Sequence, residues 1–201
     1  MLITFEGTEG CGKSTLIHHL SLKLKELGIP HLVTREPGGS QVAENIRGMI
    51  LHQEMQPLTE LFLYEAARAE HFETTIAPAL QKKQWVLCDR FIDSTLAYQG
   101  FARGLDLALI ERLNRMATHG KKPDLTFFLD LPVEKGLARA QDPNKFEKAG
   151  IEFQKKVRKG FLFCIRQNQK RFKVLKVERL NPDQVCSAAL KALKPFLKGV
   201  R

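Results

Sequence analysis

Residues 7 to 14 read Gly7-Thr8-Glu9-Gly10-Cys11-Gly12-Lys13-Ser14, with Thr15 behind them. A lysine and a hydroxyl side by side after a glycine-rich turn complete the pattern G-x-x-x-x-G-K-[ST], whose chemistry is the holding of nucleotide phosphates. A triphosphate brings several negative charges to one place. Backbone N–H groups of a tight loop surround them, and the helix that follows adds the positive end of its dipole. Gly7 and Gly12 permit backbone angles and a close approach that a Cβ would block. Lys13 is expected to reach the β- and γ-phosphates, and Ser14 to ligate the Mg²⁺ that bridges them.

A second constellation lies at Trp85-Val86-Leu87-Cys88-Asp89-Arg90. An apolar run ending in a carboxylate places Asp89 near the Mg²⁺ and its waters, as a Walker-B residue does. Arg90 offers a forked set of donors to a further phosphate group. The guanine-reading pattern Asn-Lys-x-Asp of a switch GTPase is absent, and a small kinase fits better. No residue stands out as a general base. A kinase acting on a hydroxyl needs one, whereas a phosphate acceptor is already anionic and needs alignment and charge neutralisation instead.

These residues must be positioned by alternating elements. Short apolar runs at 2–5, 31–34, 85–89, 126–131 and 174–177 read as strands. Helical patterns fall between and after them, at 13–27, 41–51, 57–82 with an irregularity near Pro78, 93–99, 106–118, 132–141, 152–170 and 182–197. Such a pattern predicts an α/β fold with a central parallel sheet of about five strands and helices on both faces. Ligands in these sheets sit beyond the carboxyl ends of the strands, where Arg35-Glu36-Pro37-Gly38-Gly39-Ser40, Asp89-Arg90-Phe91 and Asp130-Leu131-Pro132 are expected. The polar, breaker-rich residues 141–150 read as a mobile surface loop.

At 201 residues the chain suits one α/β domain spanning 1–201. No run is long enough for a membrane span. Cys11, Cys88, Cys164 and Cys186 show no metal-ligand spacing, and a reduced, cytoplasmic setting is the simple reading. Cys11, at a helix N-terminus, is expected to have a lowered pKa, to be alkylatable and to be protected by ATP. The net charge of +10 is uneven, with −2 on residues 1–154 and +12 on residues 155–201. Without an RNA- or DNA-binding motif, the basic region reads as a solvated face rather than a nucleic-acid site.

Taken together, the motifs resemble those of bacterial thymidylate kinases over nearly the whole chain. The resemblance rests on Phe5-Glu6-Gly7 through Thr15, on Arg35-Glu36-Pro37-Gly38-Gly39, and on Tyr64-Glu65-Ala66-Ala67-Arg68. It continues through Asp89-Arg90-Phe91 with Ser94, Ala97-Tyr98-Gln99-Gly100, and Lys122-Pro123-Asp124-Leu125. It implies the P-loop fold of nucleoside-monophosphate kinases and the conversion of ATP and dTMP to ADP and dTDP with Mg²⁺, a step of dTTP biosynthesis. It also implies a homodimer built through helices on one side of the core.

In that resemblance Glu9 lies near the dTMP sugar, Tyr64 stacks on thymine and Arg68 reads a thymine carbonyl. Arg90 binds the dTMP phosphate, and Thr95, Tyr98 and Gln99 contact thymine and crowd the ribose 2′ position. Arg35 and Arg47 are further phosphate-side candidates. Tyr64 and Arg68 share a helix face at i and i+4, so one base can be gripped by both. The lid, at about 138–150, departs from the family pattern, with Lys145 where Arg is usual and a shortened stretch. Arg139 is the first candidate for the cation that touches the transferring phosphoryl group, and Lys145 the second. The alternatives are another small nucleoside or nucleoside-monophosphate kinase, or a nucleotide-dependent nucleic-acid-binding protein.

Overall fold

The computed structural model describes residues 1–139 and 145–197. In chain order the elements are β1 (Leu2–Glu6), α1 (Lys13–Glu26), β2 (His31–Arg35), α2 (Gln41–His52), α3 (Pro57–His71), α4 (Ala77–Gln81), β3 (Trp85–Asp89) and α5 (Ile92–Thr95). They continue with α6 (Leu107–Ala117), β4 (Leu125–Asp130), α7 (Val133–Leu137), α8 (Lys145–Lys148), α9 (Gly150–Gln167), β5 (Phe172–Lys176) and α10 (Pro182–Leu197).

The five strands form one sheet in the order β2-β3-β1-β4-β5, and every neighbouring pair is parallel. β1, β3 and β4 are almost wholly buried, as strands covered on both faces must be. Side-chain alternation sends Ile3, Phe5, Leu87 and Phe127 into a core closed by α1 and α10. It sends Leu2, Val86 and Cys88 the other way, against Phe72, Ile76 and Phe91, while Phe128 meets α9 and the segment around Tyr98. The register sets Arg35 opposite Asp89, and Asp89 opposite Phe5. The carboxyl ends of β2, β3 and β1 therefore finish level, and the phosphate loop leaves the end of β1.

Two helices are interrupted. The irregularity expected at Pro78 falls earlier, as a π-helical stretch over Phe72–Ile76. Pro78 lacks an N–H, and its ring crowds the carbonyl four residues back, so the ladder widens in the turn before it. A second π-helical stretch, Leu96–Ala102, follows α5 and turns Tyr98 and Gln99 toward the site. α9 packs directly on it, since a Cβ at Gly160 would lie 2.6 Å from Ala97 Cα.

Part of the loop expected at 141–150 is helical: α8 begins at Lys145 and α9 at Gly150. The lid expected at 138–150 falls partly on 140–144, outside the described residues. The basic region is largely a solvated face, with Lys155, Lys156, Lys159, Lys173, Lys176, Lys191 and Lys194 exposed. Two of its arginines are clamps instead: Arg158 grips Asp130 at 2.8 and 3.0 Å, and Arg171 grips Asp93 at 2.7 and 2.8 Å.

Candidate active site

The loop between β1 and α1 is wound by glycines. Gly7, Gly10 and Gly12 have φ of 151°, 67° and 94°, where a side chain is strained. Gly10 is restricted twice over, because a Cβ there would overlap the Gly136 carbonyl, and one at Gly136 would overlap the Glu9 carbonyl. The loop thus lies directly on α7. Lys13 is buried, with Nζ at 3.5 Å from the Gly7 carbonyl oxygen and 3.3 Å from that of Thr8. Its ammonium therefore sits inside the loop whose phosphates it is expected to meet.

Ser14 Oγ lies 3.4 Å from Asp89 Oδ2. Asp89 Oδ1 is buried and has no hydrogen-bond partner among the described residues. An orphaned carboxylate oxygen beside a serine hydroxyl suits a hard cation that takes the rest of its shell from phosphate and water. Among the described residues no cluster of three or more His, Cys, Asp or Glu is arranged as an all-protein metal cage.

Arg90 follows Asp89 in a left-handed conformation, φ 66°. The turn is held from both sides: Arg90 N donates to the Phe5 carbonyl at 3.0 Å, and Phe91 N donates to Glu6 Oε1 at 2.8 Å. The conformation throws the guanidinium over the loop. Nη1 donates to the Gly7 carbonyl at 3.0 Å and to Ser94 Oγ at 3.3 Å, and Nη2 donates to Glu9 Oε1 at 2.5 Å. Tyr98 OH donates to the same Glu9 oxygen at 3.1 Å, and its ring lies under Arg90 with 5.1 Å between the guanidinium carbon and the centroid. Burial alone would raise the Glu9 pKa, but Arg90, Lys13 and the Tyr98 hydroxyl outweigh it and hold the carboxyl below its ordinary range. Glu9 is an anion already committed to Arg90, which makes it a poor general base.

Across the cavity stands α3. Tyr64 and Arg68 both line it, one turn apart as their spacing requires. Arg68 is 2% exposed and held rigidly: Nε donates to Glu36 Oε2 at 2.8 Å, and Nη1 to Glu65 Oε1 at 2.8 Å and Asn114 Oδ1 at 2.6 Å. These bonds leave Nη2 outside the set. Thr95 and Gln99 are buried and line the same cavity, and Thr95 Oγ1 has no partner among the described residues. The cavity measures about 410 Å³ and is also lined by Glu9, Gly10, Gly12, Lys13, Ser14, Thr15, Arg35, Arg47, Asp89 and Arg90. One space therefore joins a polyphosphate cradle to a slot with aromatic rings, an arginine and an amide.

The profile described as Thymidylate kinase matches residues 5–187. The chain belongs to the thymidylate kinase family. It is 44% identical over 196 residues to the thymidylate kinase of Syntrophotalea carbinolica, covering 92% of this chain and 90% of that one. With the thymidylate kinase of Wolbachia pipientis subsp. Culex pipiens the identity is 41% over 204 residues, covering 100% and 99%. The crystal structure of thymidylate kinase from Ehrlichia chaffeensis superposes with a TM-score of 0.79 at 36% identity, covering 98% of each chain. The five-stranded sheet is accordingly that of the P-loop nucleoside-monophosphate kinases.

Within this family frame, some expected residues take other places. Gly7, Thr8 and Cys11 belong to the loop but are not among the residues that line the cavity. Cys11 is corrected: its thiol is 3% exposed and packed in the core. Burial raises its pKa despite the nearby Lys13 ammonium, so a lowered pKa and ready alkylation are not supported. Arg35 pairs with Glu44 at 3.0 Å at the cavity rim, and Arg47 Nη1 donates to the Pro37 carbonyl at 2.9 Å.

Of the two lid cations, Arg139 donates from Nη1 to the Gly10 carbonyl at 3.2 Å, beside the phosphate loop. Lys145 does not join it. Its Nζ is 2.9 Å from Glu60 Oε2 and 3.1 Å from the Gln53 carbonyl, with 8% of the side chain exposed. His71 is fully buried between Thr34 Oγ1 at 2.7 Å and Glu36 Oε1 at 3.2 Å, a structural link between β2 and α3.

Sequence reasoning missed Phe146, which lines the cavity and packs against Tyr98 and Tyr64 with centroids 5.7 and 6.3 Å apart. It also missed Glu6, the clamp behind Arg90, and Glu60. The signal for Glu60 was present, since it precedes Tyr64 and Arg68 at the same four-residue interval.

Proposed function

We propose that this chain, as one kinase domain over 1–201, transfers the γ-phosphoryl group of ATP to the phosphate of dTMP, giving ADP and dTDP. A phosphate oxygen of dTMP forms the new P–O bond while the bond to the ADP oxygen breaks. The reading is carried by one observation: the phosphate cradle and the base slot open into a single cavity, with Arg90 between them.

The loop amides and Lys13 hold the donor, with Gly7, Thr8, Cys11 and Gly12 shaping the turn and Thr15 continuing it into α1. Ser14 and Asp89 would hold Mg²⁺, which supplies charge neutralisation on the phosphates. Arg139, at the loop edge, faces the charge that develops during transfer. Arg90 takes the dTMP phosphate, and Glu9 with Tyr98 aims its guanidinium and borders the sugar, the Tyr98 ring crowding a ribose 2′-hydroxyl. Tyr64 stacks on thymine, Arg68 donates to a thymine carbonyl, and Thr95 and Gln99 complete the slot. Arg35 adds positive charge at the rim. No base is needed, because the attacking oxygen carries its own charge.

The chain is proposed to act as a homodimer in the cytoplasm. Val42, Met49, Leu58 and Phe62 leave apolar surface exposed on α2 and α3, which pack on one another, and all four cysteines are free. Among the described residues no helix is long and apolar enough to cross a membrane. Sedimentation at micromolar concentration is expected to give twice the monomer mass of 22.8 kDa. The function is tested by ADP release from ATP–Mg²⁺ across dTMP, dUMP, dCMP, dGMP, AMP and thymidine. Selective turnover of dTMP is expected. Turnover of thymidine in its place would make the chain a nucleoside kinase, and turnover of none would refute the reading.

A further inference from the structure

Glu60 is a buried carboxylate, 0% exposed, and it does not line the cavity. Four donors converge on it from two other elements. Oε1 accepts from Gln99 Nε2 at 2.9 Å and from Arg103 Nε at 3.3 Å. Oε2 accepts from Arg103 Nη2 at 3.2 Å and lies 2.9 Å from Lys145 Nζ. Glu60, Tyr64 and Arg68 recur at four-residue intervals, so they occupy one stripe of α3. Two members of the stripe face the slot, and the third stands behind Gln99.

We propose that Glu60 is a positioning residue that sets acceptor-base specificity by fixing which end of the Gln99 amide the slot receives. This inference rests on the proposed use of the slot for a pyrimidine base. An ionised carboxylate has acceptors only, and an amide has one accepting and one donating end. Facing Glu60, Gln99 must turn its Nε2 inward. Its Oε1 is then the end offered to the cavity that Gln99 lines.

A pyrimidine-2,4-dione has an N3–H donor between two carbonyl acceptors. Gln99 Oε1 matches the donor, and Arg68 matches a carbonyl. Cytosine carries an unprotonated N3 acceptor there, and acceptor would meet acceptor. A mismatch of this kind discriminates strongly because a desolvated polar group is left unpaired.

Lys145 has its place in this arrangement as a counter-ion. A carboxylate in an apolar surround is costly unless paired, and Arg103 with Lys145 supplies that pairing. The next residue, Phe146, then stands against Tyr98 and Tyr64 as the slot's outer wall.

The test uses Glu60→Gln in the full chain. A glutamine at 60 accepts and donates, so Gln99 is free to present either end. The quantities read are kcat/KM for dTMP, dUMP and dCMP, the KM for ATP, and the Kd of dTMP and dCMP by calorimetry. We expect the dTMP/dCMP ratio to fall about tenfold or more, with dTMP and dUMP falling together and the ATP KM within about twofold of wild type. Loss of activity by the same factor on dTMP and dCMP, with their ratio of Kd values unchanged, would overturn the proposal.

If Glu60→Gln shows no cooperative thermal transition, Gln99→Leu carries the test. It removes the oriented group and is expected to lower the same ratio by about tenfold. An unchanged ratio overturns the proposal. Wild-type turnover of dTMP is scored separately, so failure of the kinase assignment is distinguishable from failure of the orienting role.

Discussion

Arg90→Ala is the sharpest test of how the site treats its acceptor. Alanine and arginine are both strained at φ 66°, so the exchange leaves the backbone cost nearly unchanged. Phe5, Glu6 and Phe91 still hold the turn by the two bonds at 3.0 and 2.8 Å. What disappears is the guanidinium and its fork. Each charge-assisted hydrogen bond to a phosphate oxygen contributes roughly 1.5–3 kcal/mol. A forked pair therefore contributes about 3–6 kcal/mol, or roughly a hundredfold to ten-thousandfold in kcat/KM for dTMP.

The lower part of that range is favoured. Arg90 already spends Nη2 on Glu9 and Nη1 on Gly7 and Ser94, and binding an acceptor phosphate exchanges some of those bonds rather than adding to them. The loss should fall on the dTMP KM and on kcat, with the ATP KM within about twofold of wild type. Arg90→Lys, which keeps charge but not the planar fork, should recover about one bond's share, roughly tenfold. The assay is steady-state ADP release with each substrate varied in turn, with a thermal melt to confirm folding. A variant within tenfold of wild type for dTMP, or one whose loss appears in the ATP KM, would refute this assignment.

Three further outcomes are expected. Gly10→Ala should raise the ATP KM by about tenfold or more, because the loop must move off the Gly136 carbonyl to admit a Cβ; isothermal titration with a non-hydrolysable ATP analogue checks it. Arg139→Ala should lower kcat more than it raises the dTMP KM, and an unchanged kcat would remove Arg139 from the transfer step. Burial, with Asp93 nearby, pushes the Glu6 carboxyl up to about 8 from an ordinary 4.5. The folded chain then binds more protons than the unfolded one between those values, so stability should fall as pH rises through that window. Glu6→Gln should flatten that slope, read as Tm against pH.

The legible parts of the fold are those fixed by neighbours in sequence. The strand at Trp85–Asp89 was bounded by its own apolar run and terminal carboxylate. The phosphate loop was spelled by the backbone angles it needs, and Tyr64 with Arg68 by helical spacing. What could not be read depends on partners far along the chain. Pro78 announces a disturbance, but the π-helical stretch sits upstream because the crowding is with the preceding turn. Cys11 occupies a helix start, which favours the thiolate, yet its side chain turns into the core and desolvation wins. Lys145 reads as a lid cation by its place in the family pattern. Only the folded chain shows Glu60 claiming it from a distant helix.

Gly10 shows how the two kinds of information join. A glycine there means that the loop brings no guanidinium of its own. The structure gives the reason: α7 approaches so closely that a Cβ would overlap the Gly136 carbonyl. The same approach carries Arg139, three residues past Gly136, to 3.2 Å from the Gly10 carbonyl. The small residue that removes a cation from the loop is thus what lets a neighbouring helix deliver one. Gly10→Ala and Arg139→Ala should therefore lose kcat in a non-additive way, because the first displaces the surface on which the second acts. Strictly additive losses in the double variant would mean that Arg139 reaches the phosphates without help from the contact between Gly10 and Gly136.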